Sequence, residues 1–403
     1  MNFWHIQMHP DDPQGVNEAQ ILKETGLIGL GEWEEGQSAM NDFINKMNVG
    51  DIVAVRKGKT LVALVEVVGG HEYVSDTTGR LDWFVNRRKV KILDWNDSGR
   101  TIPMATGTLT RCANESTPTM QIIVGWYNEV IEAMNGTKIL ELLKVKPQII
   151  LQGAPGTGKT RTAKEIACCL LSSDFTELNS HPNFKLIQFH PAFSYEDFVR
   201  GIVTRVANGS VVYEVKNKVL ADIAEAALKN PCAPHVLIID EINRANLPAV
   251  LGELIYALEY RGEAVNSLYE LNGCSKLILP PNLYIIATMN TADRSVGTID
   301  YAIRRRFPFF TVPASVAVIE AQPTSQCREK AVALFKIIEN IFKTKLLPDY
   351  AIEDLMIGHS YFLAESEEEL NSRLEHEIKP LLREYIKDGI LLGATSDVLE
   401  LSV

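Results

Sequence analysis

The chain has 403 residues, and its 40 Lys+Arg and 51 Asp+Glu residues give a formal net charge of −11. A hydrophobic fraction of 46% and a charged fraction of 23% are ordinary globular values, which excludes wholesale disorder. At about 150 residues per domain, this length predicts two or three domains. The acidic balance argues against a protein that binds nucleic-acid backbones without selectivity, although it leaves room for a local basic site.

The cysteines and the apolar segments indicate the cellular compartment. The six cysteines form no CxxC pair and no disulfide-framework spacing, which predicts reduced thiols. The start of the sequence lacks the basic region and apolar stretch of a signal peptide, and no apolar run reaches the roughly 18 residues of a membrane span. We therefore expect a cytoplasmic protein with no membrane partner.

Residues 1–110 are predicted to form a small mixed α+β barrel domain. The β-branched runs 51–55 and 61–68 flank a short turn that contains glycine, which is typical of a β-hairpin. A further strand is predicted over 86–95 and a helix over 38–47. Several short strands around one or two helices favour a barrel.

The pattern changes after the first domain. Residues 111–120 are polar and interrupted by proline, and we interpret them as a linker. Over 121–312, apolar strands alternate with helices from Gln148 onward, which predicts an α/β core whose parallel sheet is covered on both faces. Residues 313–403 have helical periodicity and are predicted to form a lid. Two Asn-Gly pairs predict hairpins inserted in the core, at 208–209 and 272–273.

A glycine-rich motif follows the apolar strand 149–152 and precedes a predicted helix. Its sequence, GAPGTGKT, fits G-x-x-x-x-G-K-[ST] in the strand–loop–helix context that this phosphate-binding motif requires. The glycines let backbone N–H groups turn towards phosphates, and the helix N-terminus adds a favourable dipole. Lys159 would reach the β- and γ-phosphates. The predicted nucleotide-binding residues are Gly153, Ala154, Pro155, Gly156, Thr157, Gly158, Lys159 and Thr160, together with Asp240.

Two acids, Asp240 and Glu241, end an apolar strand that begins at His235. Ligands bind beyond the carboxyl ends of the strands in α/β sheets, so these acids are expected beside the phosphate motif. Asp240 and the hydroxyl of Thr160 would hold Mg²⁺, and Glu241 would polarise the attacking water as general base. The alternative is an acidic loop that only solvates the strand end.

Asn290 ends another apolar strand, Leu283–Asn290, with an amide group. In a ring-type P-loop enzyme this is the sensor position, where an amide orients water against the γ-phosphate. The alternative is a strand-terminating asparagine that caps the next helix.

Arg304, Arg305 and Arg306 are adjacent and precede an aromatic residue. Three neighbouring guanidinium groups are hard to bury in one subunit, and one of them could contact the γ-phosphate of a neighbouring subunit as an arginine finger. That interpretation requires a homo-oligomer, whereas a solvated basic turn does not.

Four segments together resemble the AAA+ NTPase domain of the McrB family, the motor subunit of modification-dependent restriction systems. They are GAPGTGKT, LIIDEINRAN, ATMNTADRS and IRRRF, of which Met289–Ser295 is the most specific. FHPAFSYEDFVRG and IGHSYF are similar to other parts of that family, and the likeness covers about 121–403. The resemblance implies an α/β P-loop AAA+ core with a helical lid.

The resemblance also implies a nucleotide-dependent hexamer that hydrolyses GTP (or ATP) with Mg²⁺. Nothing in the spacing distinguishes guanine from adenine, and the guanine signature NKxD of G proteins is absent. The MoxR-like AAA+ group shares DEINRA and uses ATP, so an ATP-dependent remodelling chaperone is the alternative. A non-enzymatic adaptor, in which nucleotide only assembles the ring, is a third possibility. The catalytic residues implied are Glu241, Asn290, Asp293, Arg305 and Arg306.

Restriction needs a nuclease site. Asp349 with Glu377 and Lys379 can be aligned to a PD…ExK pattern, but the region is predicted to be helical, whereas that metal site needs carboxylates on a bent β-sheet. We therefore predict no nuclease site in this chain and a separate, McrC-like nuclease partner.

In the first domain, the segments FWHIQ (3–7), GLGEW (29–33) and VGDIV (49–53) are similar to EVE- or YTH-like domains of the PUA superfamily, which read modified bases in an aromatic pocket. By that resemblance the partner would be double-stranded DNA carrying a modified base. A flipped base needs aromatic faces to stack on, and the cage candidates are Trp33, Trp83 and Phe84. The alternative is that the tryptophans are core residues. Candidate phosphate contacts are Arg56, Lys57, Lys59, Arg87, Arg88, Lys89 and Lys91.

Overall fold

The structure is a computed structural model that describes residues 1–8, 17–33, 36–75, 85–103, 107–113, 117–207, 210–293, 299–322 and 326–403. Contacts between residues divide the chain into two compact units, Met1–Met134 and Asn135–Val403. Across these described ranges, no helix is both long and apolar enough to cross a membrane.

The first unit is built mainly from strands. Its β-branched segments pair as the sequence predicts, and Gly58, at φ 59°, lies in the tight turn between the strands Ile52–Lys57 and Thr60–Tyr73. The elements are β1 (Phe3–Ile6), α1 (Glu18–Thr25), β2 (Leu27–Leu30), α2 (Gln37–Asn41), a π-helical turn (Asp42–Lys46), β3 (Ile52–Lys57), β4 (Thr60–Tyr73), β5 (Asn86–Trp95) and β6 (Leu109–Arg111).

In the described residues of this unit, six strands pair in the order β2-β5-β4-β3-β1-β6. The β1–β3 pair is parallel and the others are antiparallel. No pairing of β2 with β6, which would close the sheet, occurs within those residues. The structure thus has a mixed six-stranded sheet with two short helices, and the closed barrel stays a prediction.

A long helix, α3 (Pro118–Val145), starts inside the predicted linker. Its residues Ile123 and Trp126 belong to the core of the first unit, whereas Ile139 and Leu143 belong to the core of the second. The division between the units therefore falls within this helix and not at 111–120. The predicted linker at 111–120 stays a prediction, and α3 contributes residues to the cores of both units.

The second unit begins with alternating strands and helices, as the sequence predicts. The helix α4 starts at Lys159, directly after the glycine-rich loop. The elements are β7 (Gln148–Gly153), α4 (Lys159–Leu171), β8 (Phe184–Gln188), α5 (Tyr195–Phe198), β9 (Arg200–Ala207), β10 (Ser210–Asn217), α6 (Val219–Lys229), β11 (His235–Asp240), α7 (Leu247–Leu251), α8 (Leu254–Glu259), β12 (Ala264–Leu271), β13 (Cys274–Ile278), β14 (Leu283–Asn290), α9 (Tyr301–Arg306) and β15 (Phe309–Thr311).

In the part of this unit that the structure describes, five strands form a parallel sheet in the order β15-β7-β14-β11-β8. Asn290 pairs in register with Gly153, and Asp240 ends the next strand, β11. The sheet therefore brings the three predicted motifs to one edge. The hairpin β12–β13 is confirmed, with Asn272 and Gly273 at φ 51° and 76°. The strands β9 and β10 also pair, but the Asn-Gly pair 208–209 lies outside the described residues.

The C-terminal part of the second unit is helical, as predicted. Its helices pack around a separate apolar cluster that includes Leu334, Ile338, Phe362 and Leu382. Glu377 lies in a π-helical turn (Leu374–Ile378), in the region that the sequence predicts to be helical. The lid helices are α10 (Val316–Glu320), α11 (Arg328–Lys345), α12 (Ile352–Leu355), α13 (Glu367–Arg373), α14 (Lys379–Lys387) and α15 (Thr395–Leu399).

Candidate nucleotide site

The phosphate loop, Gly153–Thr160, connects the carboxyl end of β7 to the first turn of α4. Gly156 and Gly158 have φ values of 77° and 83°, in the left-handed region that only glycine enters without a steric penalty. This backbone directs the unpaired N–H groups at the start of α4 into the loop, where the helix dipole favours an anion. The loop thus has the backbone of a phosphate site.

Lys159 is the buried cation of the loop. Its Nζ donates hydrogen bonds to the carbonyl oxygens of Gly153 at 3.0 Å and Ala154 at 2.8 Å. Burial lowers the pKa of Lys159 to about 8, against the opposing effect of the charges of Glu241 and Asp240. A phosphate near Nζ would favour the charged form further, because an opposite charge stabilises a buried ammonium group.

Thr160 and Asp240 meet as predicted. The Thr160 hydroxyl donates to Oδ1 of Asp240 at 2.7 Å, and Thr288 Oγ1 donates to the same oxygen at 2.7 Å. A hydroxyl and a carboxylate beside a phosphate loop are suitable ligands for Mg²⁺, which commonly takes one or two protein oxygens and completes its octahedron with water and phosphate oxygens. Thr160 and Asp240 therefore fit the metal, which would supply charge neutralisation at the phosphates.

Glu241 has a strained backbone and a restrained side chain. Its φ of 55° is unusual for a residue other than glycine, and its N–H donates to Thr288 Oγ1 at 3.1 Å. Asn290 Nδ2 donates to Oε1 of Glu241, and Arg244 Nε lies 3.4 Å from Oε2. A glutamate held in this way can keep one carboxylate oxygen facing a water molecule.

Arg244 is a further charged residue in contact with the predicted catalytic residues. Arg244 also places Nη2 3.5 Å from Oδ2 of Asp293, so it bridges the two predicted catalytic acids. Asn243 Nδ2 donates to the backbone oxygen of Asn290 at 3.2 Å. From the sequence we predict no role for Thr288, Asn243 or Arg244. Thr288 had a usable signal, because residues two apart on a strand face the same side as Asn290.

The predicted arginine fingers lie at the other end of the sheet. Gln148, the first residue of β7, donates its Nε2 hydrogen to the backbone oxygen of Arg306 at 2.9 Å. Gly153 is the last residue of β7, and at about 3.3 Å per residue the two ends are about 17 Å apart. Neither Arg305 nor Arg306 is therefore close to the phosphate loop of its own chain.

Within their own chain, both arginines bind Glu259. Arg305 Nη2 donates to its two carboxylate oxygens at 3.0 and 2.8 Å, and Arg306 Nη2 lies 2.9 Å from Oε2. The side chain of Arg305 is 68% exposed and that of Arg306 is 14% exposed. Arg305 is thus the more accessible of the two, while Arg306 is also fixed to the Ala302 carbonyl.

The aromatic candidates of the first unit are only partly described. Trp33 is half-buried and packs on the apolar core, with its indole ring directly against Gly36. Trp83 and Phe84 lie outside the described residues. Trp4 and Trp126 are core residues, and their Nε1 atoms donate to Asp51 and Asp94.

Two of the candidate phosphate contacts in this unit are wrong. Arg56 and Arg88 are 1% and 4% exposed, and their guanidinium groups donate hydrogen bonds within the unit, Arg56 to Nδ1 of His5 and Arg88 to the carbonyls of Phe43 and Ile44. Alternation along a strand directs every second side chain inward, and these arginines occupy inward positions. Lys57, Lys59, Lys89 and Lys91 are exposed and remain candidates.

Two protein families match the two parts of the second unit, its α/β core and its helical lid. Residues 148–307 match the AAA domain of the dynein-related subfamily, and residues 345–390 match the alpha-helical lid domain of McrB. Residues 14–117 match a domain family of unknown function, DUF8426, so the EVE/YTH-like character of the first unit stays a prediction.

Two curated relatives align with this chain. The EcoKMcrB subunit of the type IV methyl-directed restriction enzyme of Escherichia coli K12 is 35% identical over 273 residues, covering 62% of this chain and 56% of the relative. The YdiS component of the type II restriction enzyme BsuMI of Bacillus subtilis 168 is 28% identical over 210 residues, covering 44% and 61%. The chain thus spans little more than half the length of these relatives.

Among solved structures, one from Cytophaga hutchinsonii aligns over 69% of this chain and 84% of its own, with 16% identity and a TM-score of 0.31, too low to support an argument. The parallel sheet, the phosphate loop and the match over 148–307 define an AAA+ P-loop protein. Because residues 345–390 match the lid domain of McrB and the relative from E. coli is 35% identical, the chain is similar to AAA+ proteins of the McrB type.

Proposed function

We propose that the second unit binds and hydrolyses a nucleoside triphosphate with Mg²⁺. The observation that carries this proposal is the direct contact of Thr160 with Asp240, next to the pair of Glu241 and Asn290. The backbone of the phosphate loop and Lys159 would bind the phosphates. Thr160 and Asp240 would hold the metal, which neutralises charge on the phosphate oxygens.

Glu241 is the proposed general base. Its Oε1 accepts a hydrogen bond from Asn290, and this leaves Oε2 to orient a water molecule and take its proton. Asp293 would act through Arg244, whose guanidinium lies between the two acids. We propose GTP as the preferred nucleotide on the resemblance to McrB, since no residue of the site by itself discriminates between guanine and adenine.

We further propose a homo-oligomer, hexameric as in the family, in which Arg305 or Arg306 acts at the site of the next subunit. Two observations support this arrangement. Both arginines lie at the Gln148 end of β7, and the phosphate loop of the same chain begins at the other end, about 17 Å away. Arg305 is also exposed. An arginine finger supplied by a neighbour stabilises charge that develops on the transferred phosphoryl group.

The biological role proposed here is that of the motor in an McrBC-like restriction complex that acts on modified DNA and drives a separate, McrC-like nuclease. Both curated relatives are components of restriction enzymes, and one of these enzymes is methyl-directed. The McrB-type lid favours this role over a MoxR-like remodelling chaperone.

DNA binding is assigned to the first unit. Trp33, together with Trp83 and Phe84, would stack on a modified base, and the exposed lysines Lys89 and Lys91 would contact phosphates. This part of the proposal rests on the resemblance to base readers and on the half-buried indole of Trp33.

The test measures turnover of GTP and ATP by the full chain with Mg²⁺, with and without an McrC-like nuclease subunit. We expect faster turnover of GTP and stimulation by the nuclease. Equal or faster ATP turnover would contradict the GTP assignment, and absence of turnover with both nucleotides would contradict the enzymatic role.

A second measurement addresses DNA. The full chain is titrated with duplexes that carry 5-methylcytosine, 5-hydroxymethylcytosine or N6-methyladenine, and with the unmodified duplex. We expect selective binding of one modified duplex and its loss in Trp33→Ala with the fold intact. Equal binding of all duplexes would remove the reader role, and unchanged binding by the variant would remove Trp33 from the cage.

A further inference from the structure

A turn of the lid, Ile357–Tyr361, faces the phosphate loop, and we call it the lid turn. Ile357 and the following Phe362 are 1% and 0% exposed and are part of the lid core. Arg373 Nη1 donates to the Ser360 carbonyl at 2.8 Å. The lid turn is therefore held firmly by the lid on both sides.

The backbones of the lid turn and the phosphate loop are in direct contact. The N–H of Gly358 donates to the Pro155 carbonyl at 3.1 Å, and the N–H of Ser360 donates to the Gly156 carbonyl at 3.1 Å. A Cβ atom added at Gly358 would lie 2.0 Å from the carbonyl carbon of Gly156. Only glycine allows this approach, since the atoms that it meets belong to the backbone of the loop.

His359 projects from the lid turn towards the same loop. It is 8% exposed, and its Nδ1 accepts a hydrogen bond from the N–H of Ser315 at 3.3 Å. The proton of the neutral ring therefore lies on Nε2, by inference from this bond. Burial, and secondarily the charge of Arg161, lowers the pKa of His359 to about 4, so the ring is neutral at pH 7.

The other ring nitrogen is directed at the phosphate loop. Nε2 would lie 3.4 Å from a Cβ atom placed on Gly158, and it has no hydrogen-bond partner among the described residues. Gly158 and Arg161 are three residues apart at the start of α4, so they share a face of the helix. Thr160, which contacts Asp240, lies on a different face.

We propose that His359 is a nucleotide-binding residue carried by the lid, and that its Nε2–H donates to the nucleoside side of the bound nucleotide, away from the metal. This inference rests on the proposed nucleotide site and adds a residue to it. A donor at this position contacts a part of the ligand that GDP and GTP share, so it contributes to binding and not to the chemical step.

The test compares the matched substitutions His359→Asn and His359→Gln in the full chain. Asparagine keeps an acceptor near Nδ1 for Ser315 but does not reach the position of Nε2, whereas the glutamine amide does. We expect His359→Asn to weaken binding of both GDP and a non-hydrolysable GTP analogue by about 10- to 100-fold, the loss of one hydrogen bond to a charged or polar ligand atom. In both affinities, His359→Gln should stay within about threefold of the native chain.

Native affinity in His359→Asn would overturn the inference, and so would an equal loss in both variants, which indicates a structural role. A native chain that binds neither GDP nor the analogue would instead contradict the proposed nucleotide site.

As an independent check, Gly358→Ala should weaken binding of GDP and of the GTP analogue, because the added methyl group separates the lid turn from the phosphate loop. Gly136→Ala is the control, since a Cβ atom there meets nothing within 4 Å.

Discussion

The hydroxyl of Thr288 donates a hydrogen bond to Oδ1 of Asp240 at 2.7 Å, and the same hydroxyl oxygen accepts the N–H of Glu241 at 3.1 Å. Thr288, on β14, therefore forms hydrogen bonds with both Asp240, the last residue of β11, and Glu241, which follows it. It orients the carboxylate proposed to hold Mg²⁺ and stabilises the left-handed backbone of the proposed general base, whose φ is 55°.

Thr288→Val removes this hydroxyl at nearly constant volume. The loss of a buried hydrogen bond to a charged group costs about 1–3 kcal/mol, so we expect kcat to fall by about 5- to 100-fold. Thr288→Ser keeps the hydroxyl and is the matched control, with kcat within a few-fold of the native value. Steady-state hydrolysis measures both variants, and native kcat in Thr288→Val would contradict the role of Thr288.

The trans role of Arg305 predicts complementation between two inactive variants. Lys159→Ala should lose nucleotide binding, and Arg305→Ala should bind nucleotide but hydrolyse it slowly. In a mixed ring, a subunit with an intact phosphate loop can lie next to one with an intact Arg305. An active interface needs the phosphate loop of an Arg305→Ala subunit and the Arg305 of a neighbouring Lys159→Ala subunit. In a random equal mixture this ordered pair occurs at roughly a quarter of the interfaces, so we expect roughly a quarter of the native rate.

The control for this experiment is Arg304→Ala. Arg304 lies over the ring of Phe309 in the same chain, 5.0 Å from its centroid, and its loss should leave the rate close to native. If the mixture of Lys159→Ala and Arg305→Ala is no more active than either variant alone, Arg305 does not act between subunits.

His5 predicts acid sensitivity of the first unit. It is 3% exposed, and burial, followed by the charge of Arg56, lowers its pKa from 6.5 to about 4. As the pH falls from 6.5 to 4, the unfolded chain binds the proton and the folded chain does not, so the free energy of unfolding decreases. Above pH 6.5 both states are neutral and this contribution does not change with pH.

Between pH 6.5 and pH 4, the free energy of unfolding should decrease by about 3 kcal/mol because of His5, at about 1.36 kcal/mol for each unit of the pKa difference. The 5 tryptophans of the chain all lie within residues 1–134, so urea unfolding followed by tryptophan fluorescence reports on this unit in the full chain. His5→Gln keeps an acceptor for Arg56 and should be less sensitive to acid by that amount. Equal sensitivity of the two chains would contradict the predicted pKa.

Local sequence was sufficient for the phosphate loop and for the alternation of strands and helices in the second unit. Glycines at fixed spacing and continuous apolar strands encode the conformation of Gly153–Thr160 and the positions of Asp240 and Asn290 within a few residues. These features depend on backbone preference and burial, which a single sequence carries.

Contacts between distant segments could not be predicted in the same way. Arg244 between Glu241 and Asp293, and His359 against Gly158, depend on how loops and the lid pack. The sequence marked IGHSYF only through its resemblance to a family. Arg56 and Arg88 were misassigned because charge alone does not indicate which face of a strand is buried.

The role of Glu241 as the general base of nucleotide hydrolysis is tested by comparing the native chain with Glu241→Gln. Glutamine keeps the size and can still accept from Asn290, but it cannot take a proton from water. We predict a fall in kcat for GTP of about 10²- to 10⁴-fold with unchanged affinity for a non-hydrolysable GTP analogue. Hydrolysis at the native rate by Glu241→Gln would contradict the account.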